Sequence, residues 1–186
     1  MSSTAVTIPG YVAGAWNIDP THSEVSFVVR HMMVSKVRGK FTTYTASIVT
    51  GTEPSDSSVT AEIDLSSIDT GNEQRDAHLR SADFFEVDAH QVMTYRSTAV
   101  TPDGDDWRID GELSLHGVTR PVPLKLELNG FTADPYGGTR AGFSATGEIS
   151  RSDFGITFSM PMEGGGVVVG DKIQIHLEVE AVLATA

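Results

Sequence analysis

Apolar and polar residues alternate along most of this chain. Over 58–65, Val59, Ala61, Ile63 and Leu65 oppose Thr60, Glu62 and Asp64. Trp107, Ile109, Leu113 and Leu115 oppose Arg108, Asp110, Glu112 and Ser114, and Ile173, Ile175, Leu177, Val179 and Ala181 oppose Gln174, His176, Glu178 and Glu180. A period of two marks strands with one buried face. The same reading predicts a first short strand at Trp16–Ile18, a second within 22–33, and a single long one over 37–49. Further strands are predicted at 92–100, 122–128 and 141–149. In the second strand Val25, Phe27, Val29 and His31 share a face. Turn residues separate these runs at Asp19-Pro20, Glu53–Ser58, Pro102-Asp103-Gly104-Asp105, His116-Gly117-Val118-Thr119 and Asp134–Gly138. Residues 150–170 carry no period, and Gly164-Gly165-Gly166 within them is a flexible loop rather than a phosphate cradle.

One stretch breaks the pattern. From Asn72 to Ala82 there is no Pro, Gly or β-branched residue, and a helix is predicted over about 72–82. A helix this short is marginal alone and must pack on something. The chain has no βαβ rhythm, so an all-β fold of about eight antiparallel strands follows, as a sandwich or a closed barrel. Strands of nine or more residues reach roughly 30 Å at about 3.4 Å per residue. Long strands joined by hairpins favour an up-and-down barrel with the helix covering one end, and about eight strands leave room for one small ligand.

Length and charge narrow the picture further. The 186 residues suit one domain, read as 16–184 after a flexible arm over 1–15. Thirteen basic against 25 acidic residues give a net charge of −12, which argues against a nucleic-acid partner. No run of 18 apolar residues suggests a membrane-spanning helix. The start MSSTAVTIPGYVAGAW lacks the basic and apolar regions of a secretory signal, so a cytoplasmic location is expected. Cysteine is absent, which excludes disulfides and thiolate chemistry.

Several blocks then carry a resemblance. Trp16-Asn17-Ile18-Asp19-Pro20-Thr21-His22-Ser23 leads into Phe27-Val28-Val29-Arg30-His31, and Ser67-Ile68-Asp69-Thr70-Gly71 precedes Arg75-Asp76-Ala77-His78-Leu79 and Asp83-Phe84-Phe85. Gly111–Thr119, Ile149–Gly155 and Val169-Gly170-Asp171 complete the series. In this order, across 16–183, the chain resembles the YceI-like polyisoprenoid-binding family. The resemblance implies a lipocalin-like barrel whose lumen holds an isoprenoid, a prenyl quinone, a prenyl phosphate or another long-chain amphiphile. It also implies a binding protein rather than an enzyme, with no further cofactor. Many members of the family are exported to the periplasm, a feature the missing signal does not match. The lumen would be lined by Val25/Phe27/Val29, Trp107/Ile109/Leu113 and Phe143/Ala145/Ile149, with Ala141, Ala145 and Gly147 leaving space.

Polar residues divide between ligand contact and plain structure. Arg75 and His78 lie together on one helix face and offer donors to a head group; the alternative is that Arg75 pairs with Asp76, Asp83 or a strand carboxylate and only docks the helix. His31 shares the face of Phe27 and Val29. Arg151, Asp153 and Phe154 are either a trio at the barrel mouth or a loop tied by an Arg–Asp pair. The ligand contacts expected are therefore Phe27, Val29, His31, Phe41, Arg75, His78, Leu79, Phe84, Phe143, Arg151 and Phe154. Asp19, His22 and Ser23 are the residue types of a triad but stand too close in sequence to reach its geometry, and no catalytic residue is assigned. No metal is assigned either, because HExxH, H-x-H and EF-hand spacings are missing; a site could still assemble in space, for example from His31, His78 and His116. The competing readings are an enzyme acting on an isoprenoid through His78, Arg75 and Asp76, and an interaction module with a filled core, dimeric through an edge or the helix.

Overall fold

The computed structural model describes residues 7–185. Its strands are β1 (Gly14–Ile18), β2 (Glu24–His31), β3 (Ser35–Phe41), β4 (Tyr44–Thr50), β5 (Ser58–Asp64), β6 (Ile68–Asp69), β7 (Val92–Asp103), β8 (Asp106–Leu115), β9 (Val118–Pro121), β10 (Leu124–Ala133), β11 (Thr139–Ser150) and β12 (Val169–Leu183). The helix α1 spans Glu73–Arg80. All pairings are antiparallel, and the sheet closes because β12 pairs with β11 along one edge and with both β1 and β2 along the other.

The result is an eight-stranded closed barrel in which several strands are interrupted. A 3₁₀ turn at Pro20–His22 divides β1 from β2, with the Asp19 carboxylate accepting the Thr21 N–H. The strand expected over 37–49 is two, β3 and β4, bent at Thr42-Thr43. The turn expected at 116–119 is tighter, because β9 pairs back on β8 from Val118 to Pro121. Within 150–170 there is a 3₁₀ turn over Arg151–Phe154, closed by Gly155 in the left-handed region.

These interruptions have a common consequence. A slip of one residue moves every following side chain to the opposite face. In β1 the inward residues are even-numbered, Trp16 and Ile18, whereas in β2 they are odd, Val25, Phe27 and Val29. The corner at Thr42-Thr43 turns Phe41 inward before it and Tyr44, Ala46 and Ile48 inward after it. Irregularities at Ser97/Ala99 and Leu128/Gly130 do the same, from Tyr95 to Val100 and from Leu128 to Phe131. Such bulges also sharpen the bending that barrel closure requires.

The helix is shorter than expected and is not held by an apolar stripe. Asn72 caps it by accepting the Arg75 N–H at 2.9 Å, Glu73 and Asp76 sit in its first turn, and His78 and Arg80 in its last. Its buried residue is Asp76, only 6% exposed, which accepts the Thr70 N–H at 3.0 Å and the Thr70 hydroxyl at 2.6 Å. The apolar anchors come mostly after it. Phe84 is buried and Phe85 half-buried, held by Phe84 N–H to Ser81 O and Phe85 N–H to Leu79 O.

Candidate functional site

A cavity of about 310 Å³ runs through the barrel. At the helix end it is bounded by Leu79, Phe84, Phe85, Arg151 and Ile156, and towards the opposite end by Tyr11, Pro54 and Phe131. In the N-terminal segment Gly10, Tyr11 and Val12 lie against that second end, near Phe131 and Trp16. Tyr11 donates its hydroxyl to Gly51 O at 2.7 Å and stacks edge-on against Phe131. Trp16 fills the interior nearby, 2% exposed, with its indole N–H on Thr50 Oγ1 at 2.8 Å.

All nine residues expected to form the tube line it: Val25, Phe27, Val29, Trp107, Ile109, Leu113, Phe143, Ala145 and Ile149. Of the three small residues expected to leave space, Ala145 does so. Ala141 instead packs with Trp16 and Ala181, and Gly147 lies under Leu124, whose side chain a Cβ would meet at 2.7 Å. Gly39 has a comparable role in shaping the wall, since the Phe27 ring lies over it where any Cβ would overlap. Phe27, Phe41 and Phe85 form an aromatic run with centroids 5.8 and 6.0 Å apart.

Phe27, Val29, Phe41, Leu79, Phe84, Phe143 and Arg151 line the cavity, whereas His31, Arg75, His78 and Phe154 do not. His31 keeps the parity of Phe27 and Val29 but sits at the tip of the β2–β3 hairpin, past the last lining residue. Arg75 turns back onto Thr70, donating from Nε to Oγ1 at 2.7 Å and from Nη2 to the carbonyl at 2.8 Å. It docks the loop before the helix, through a hydroxyl and a carbonyl rather than a carboxylate. His78 bonds Asp83 at 2.8 Å and lies edge-on to Phe84 and Phe158, half-exposed outside the lumen. Phe154 is buried behind the wall, 1% exposed.

Arg151 is the one charged side chain among the described residues that line the cavity. It is not tied to Asp153. Nε donates to Gly170 O at 2.9 Å, Nη1 to Ile156 O at 3.0 Å and Nη2 to Val169 O at 3.2 Å. Its guanidinium lies 5.9 Å from the Phe84 ring centre. Burial pushes its pKa down, an effect partly opposed by the nearby Asp171. Three of its five N–H groups are engaged by these carbonyls.

Besides Tyr11, two tyrosines that line the lumen, Tyr44 and Tyr95, were not singled out by sequence. Tyr95 donates to Val122 O at 2.9 Å, and burial pushes its pKa up to about 12. The buried Tyr44 hydroxyl has no hydrogen-bond partner among the described residues, and burial raises its pKa, with Glu24 adding to the effect. The parity flip at Thr42-Thr43 hides Tyr44 from a single-strand reading.

Asp19, His22 and Ser23 form no triad. His22 bonds Asp19 at 2.8 Å, but Ser23 donates to Glu180 O instead. Arg140 crosses this region, reaching Asp19 and Glu180 at 2.9 Å and Asp134 at 2.7 Å. These hydrogen bonds, His22 first, hold the Asp19 carboxyl well below the usual range, while Asp19 raises the pKa of His22. No helix among the described residues is long and apolar enough to cross a membrane.

Comparison with known proteins agrees with this architecture. The YceI-like domain family matches residues 16–181. Protein YceI of Salmonella newport is 39% identical over 160 residues, covering 84% of each chain. A UPF0312 protein of Pectobacterium atrosepticum is 42% identical over 137 residues, 73% of this chain and 71% of its own. The YceI protein of Campylobacter jejuni superposes with a TM-score of 0.72 at 29% identity, over 84% of this chain and 90% of its own. The fold is also shared by BcnA of Burkholderia cenocepacia (TM-score 0.77, 22% identity, 91% of this chain and 100% of its own). A polyisoprenoid binding domain from Saccharophagus degradans shares it as well (TM-score 0.69, 18% identity, 93% of this chain and 100% of its own). With its barrel, its lumen-lining strands and these similarities in agreement, the chain belongs to the YceI-like family.

Proposed function

We propose that this protein binds a long-chain amphiphile, a polyisoprenoid, prenyl quinone or prenyl phosphate, inside the barrel and serves as its carrier or store. The observation that carries this reading is the apolar cavity of about 310 Å³. That volume lies within the ~300–1,000 Å³ range of ligand pockets. Left as empty space, it would destabilise the fold by about 7 kcal/mol at ~24 cal/mol per Å³. Typical domains have only about 5–15 kcal/mol in total. An apolar chain offsets that cost directly, at about 0.8 kcal/mol per buried methylene. The Saccharophagus degradans neighbour, described as a polyisoprenoid binding domain, supports the choice of ligand class.

Arg151 marks the end at which the head group sits. Its unengaged N–H groups suit a quinone carbonyl or a phosphate oxygen. The cavity wall supports a binding role over catalysis, because its Ser, Thr and Tyr hydroxyls have no Asp, Glu, His or Lys beside them among the described lining residues to activate them. Organic extraction of the purified protein followed by mass spectrometry tests the reading. A prenyl compound near one per chain is expected. An empty extract, from a protein that also fails to take up added prenyl quinone or prenyl phosphate, overturns it.

A further inference from the structure

Outside the lumen, three side chains from two separate loops converge. Glu86 and His90 lie four residues apart in the segment joining α1 to β7, where the His90 N–H donates to Glu86 O at 2.9 Å and closes a single turn. His116 stands in the turn between β8 and β9. Its ring centre is 4.8 Å from that of His90, and its Nε2 is 3.6 Å from Glu86 Oε2. One ligand atom from each of the three lies within 4.8 Å of the others.

The protonation pattern at His116 is constrained. Nδ1 is 3.0 Å from the carbonyl oxygen of Phe154, which can only accept, so Nδ1 carries a proton. In the neutral ring Nε2 then holds a lone pair. It is buried and without a hydrogen-bond partner among the described residues, facing a carboxylate that also only accepts. Across 3.6 Å the two acceptors face one another, and either a proton or a metal cation between them would satisfy both. A ring N–H held by a backbone carbonyl is also how metal-bound histidines are oriented.

We propose that Glu86, His90 and His116 form a site for a first-row divalent cation of the Zn²⁺ class. Two imidazoles and a carboxylate supply three ligands and leave a fourth position for water or an exogenous ligand. Bonds of ~2.0–2.1 Å in a tetrahedron place ligand atoms about 3.4 Å apart. The Glu86–His116 separation of 3.6 Å is already close to this. Glu86 and His116 hold φ of 50° and 55°, values rare for residues other than glycine. Beside them Gly117, at φ 75°, leaves the His90 ring its space, since a Cβ there would lie 3.1 Å from His90 Cε1. The second His–carboxylate cluster, Asp19, His22 and Glu180, makes a useful contrast, because the Arg140 guanidinium already provides its cation.

Bound at this site, the ion ties the segment after α1 to the β8–β9 turn. Through Phe154 O it also fixes the 3₁₀ turn that carries Arg151. The site thus clamps the helix end of the barrel and is independent of what the lumen holds.

Calorimetric titration with ZnCl₂ after chelator treatment tests this on the intact protein. One site with a Kd of micromolar or tighter is expected, together with a rise in thermal midpoint. His90→Gln and Glu86→Gln should each weaken binding at least 50-fold and abolish that rise, whereas His22→Gln should leave both unchanged. Melting of the metal-free variants reports whether they fold. Failure of the wild-type protein to bind Zn²⁺, or binding retained in both folded variants, overturns the assignment.

Discussion

Replacing Arg151 with methionine removes a buried cation and its donor fork while keeping an unbranched apolar stem. In the folded protein its guanidinium serves three carbonyls on two separate stretches of backbone, Ile156 after the 3₁₀ turn and the adjacent Val169 and Gly170 of β12. Hydrogen bonds to a charged group contribute about 1.5–3 kcal/mol each, so three represent roughly 4–9 kcal/mol gross. Against this, methionine avoids the desolvation of a guanidinium, a cost of several kcal/mol. The expected net loss is about 3 kcal/mol. With a urea m-value of about 2 kcal/mol per M, the midpoint falls by roughly 1.5 M. Arg151→Lys should fall in between, because one ammonium on a flexible stem cannot span three acceptors held in a fork. Urea unfolding followed by far-UV circular dichroism measures both. A midpoint shift below about 0.3 M for methionine, or lysine matching the wild type, would refute the argument that these bonds hold the 3₁₀ turn to β12.

Tyr44 and Tyr95 should respond to truncation in opposite directions. Tyr44→Phe removes a buried hydroxyl without a partner and should stabilise the lipid-free protein by about 1 kcal/mol, whereas Tyr95→Phe orphans Val122 O and should cost about 1 kcal/mol; thermal melts in parallel decide this. Ala61 lines the cavity between Ala46 and Tyr95, so Ala61→Phe should fill the lumen, keep the fold and abolish uptake of added prenyl lipid, read by melting and by extraction. Stability should also follow pH in a definite sense. Asp19 and Asp134 have depressed pKa values, so their contribution is present above the ordinary carboxylate range and is lost as pH falls through their folded values. Arg140→Met should therefore melt below the wild type at pH 6, with the gap closing in strong acid. His22 has a raised pKa, so its contribution is complete below about 6.5 and is lost as pH rises through the folded value. His22→Gln should flatten that alkaline decline in thermal midpoint.

Alternation is imposed by the covalent geometry of an extended chain, so the sequence by itself determined the all-β class, most of the strands and the apolar faces of β2, β8 and β11. Those faces became the lumen wall. It also marked the helix α1, because Asn72 to Ala82 carries no Pro, Gly or β-branched residue. Which face turns inward after an interruption is not local. The corner at Thr42-Thr43 and the bulges in β7 and β10 change parity because the sheet must bend to close on itself. Only the tertiary structure therefore placed Tyr44, Ala46, Ile48 and Phe131 in the lumen. Polar side chains depended still more on distant partners. Arg75 was claimed by Thr70, Arg151 by carbonyls up to 19 residues away, and His116 by Glu86 and His90 rather than by His31 or His78. Hydrogen-bond and ligand geometry is satisfied in space, by whichever backbone the barrel brings within about 3 Å. Residue type announces what a side chain can bind; closure of the sheet decides what it meets.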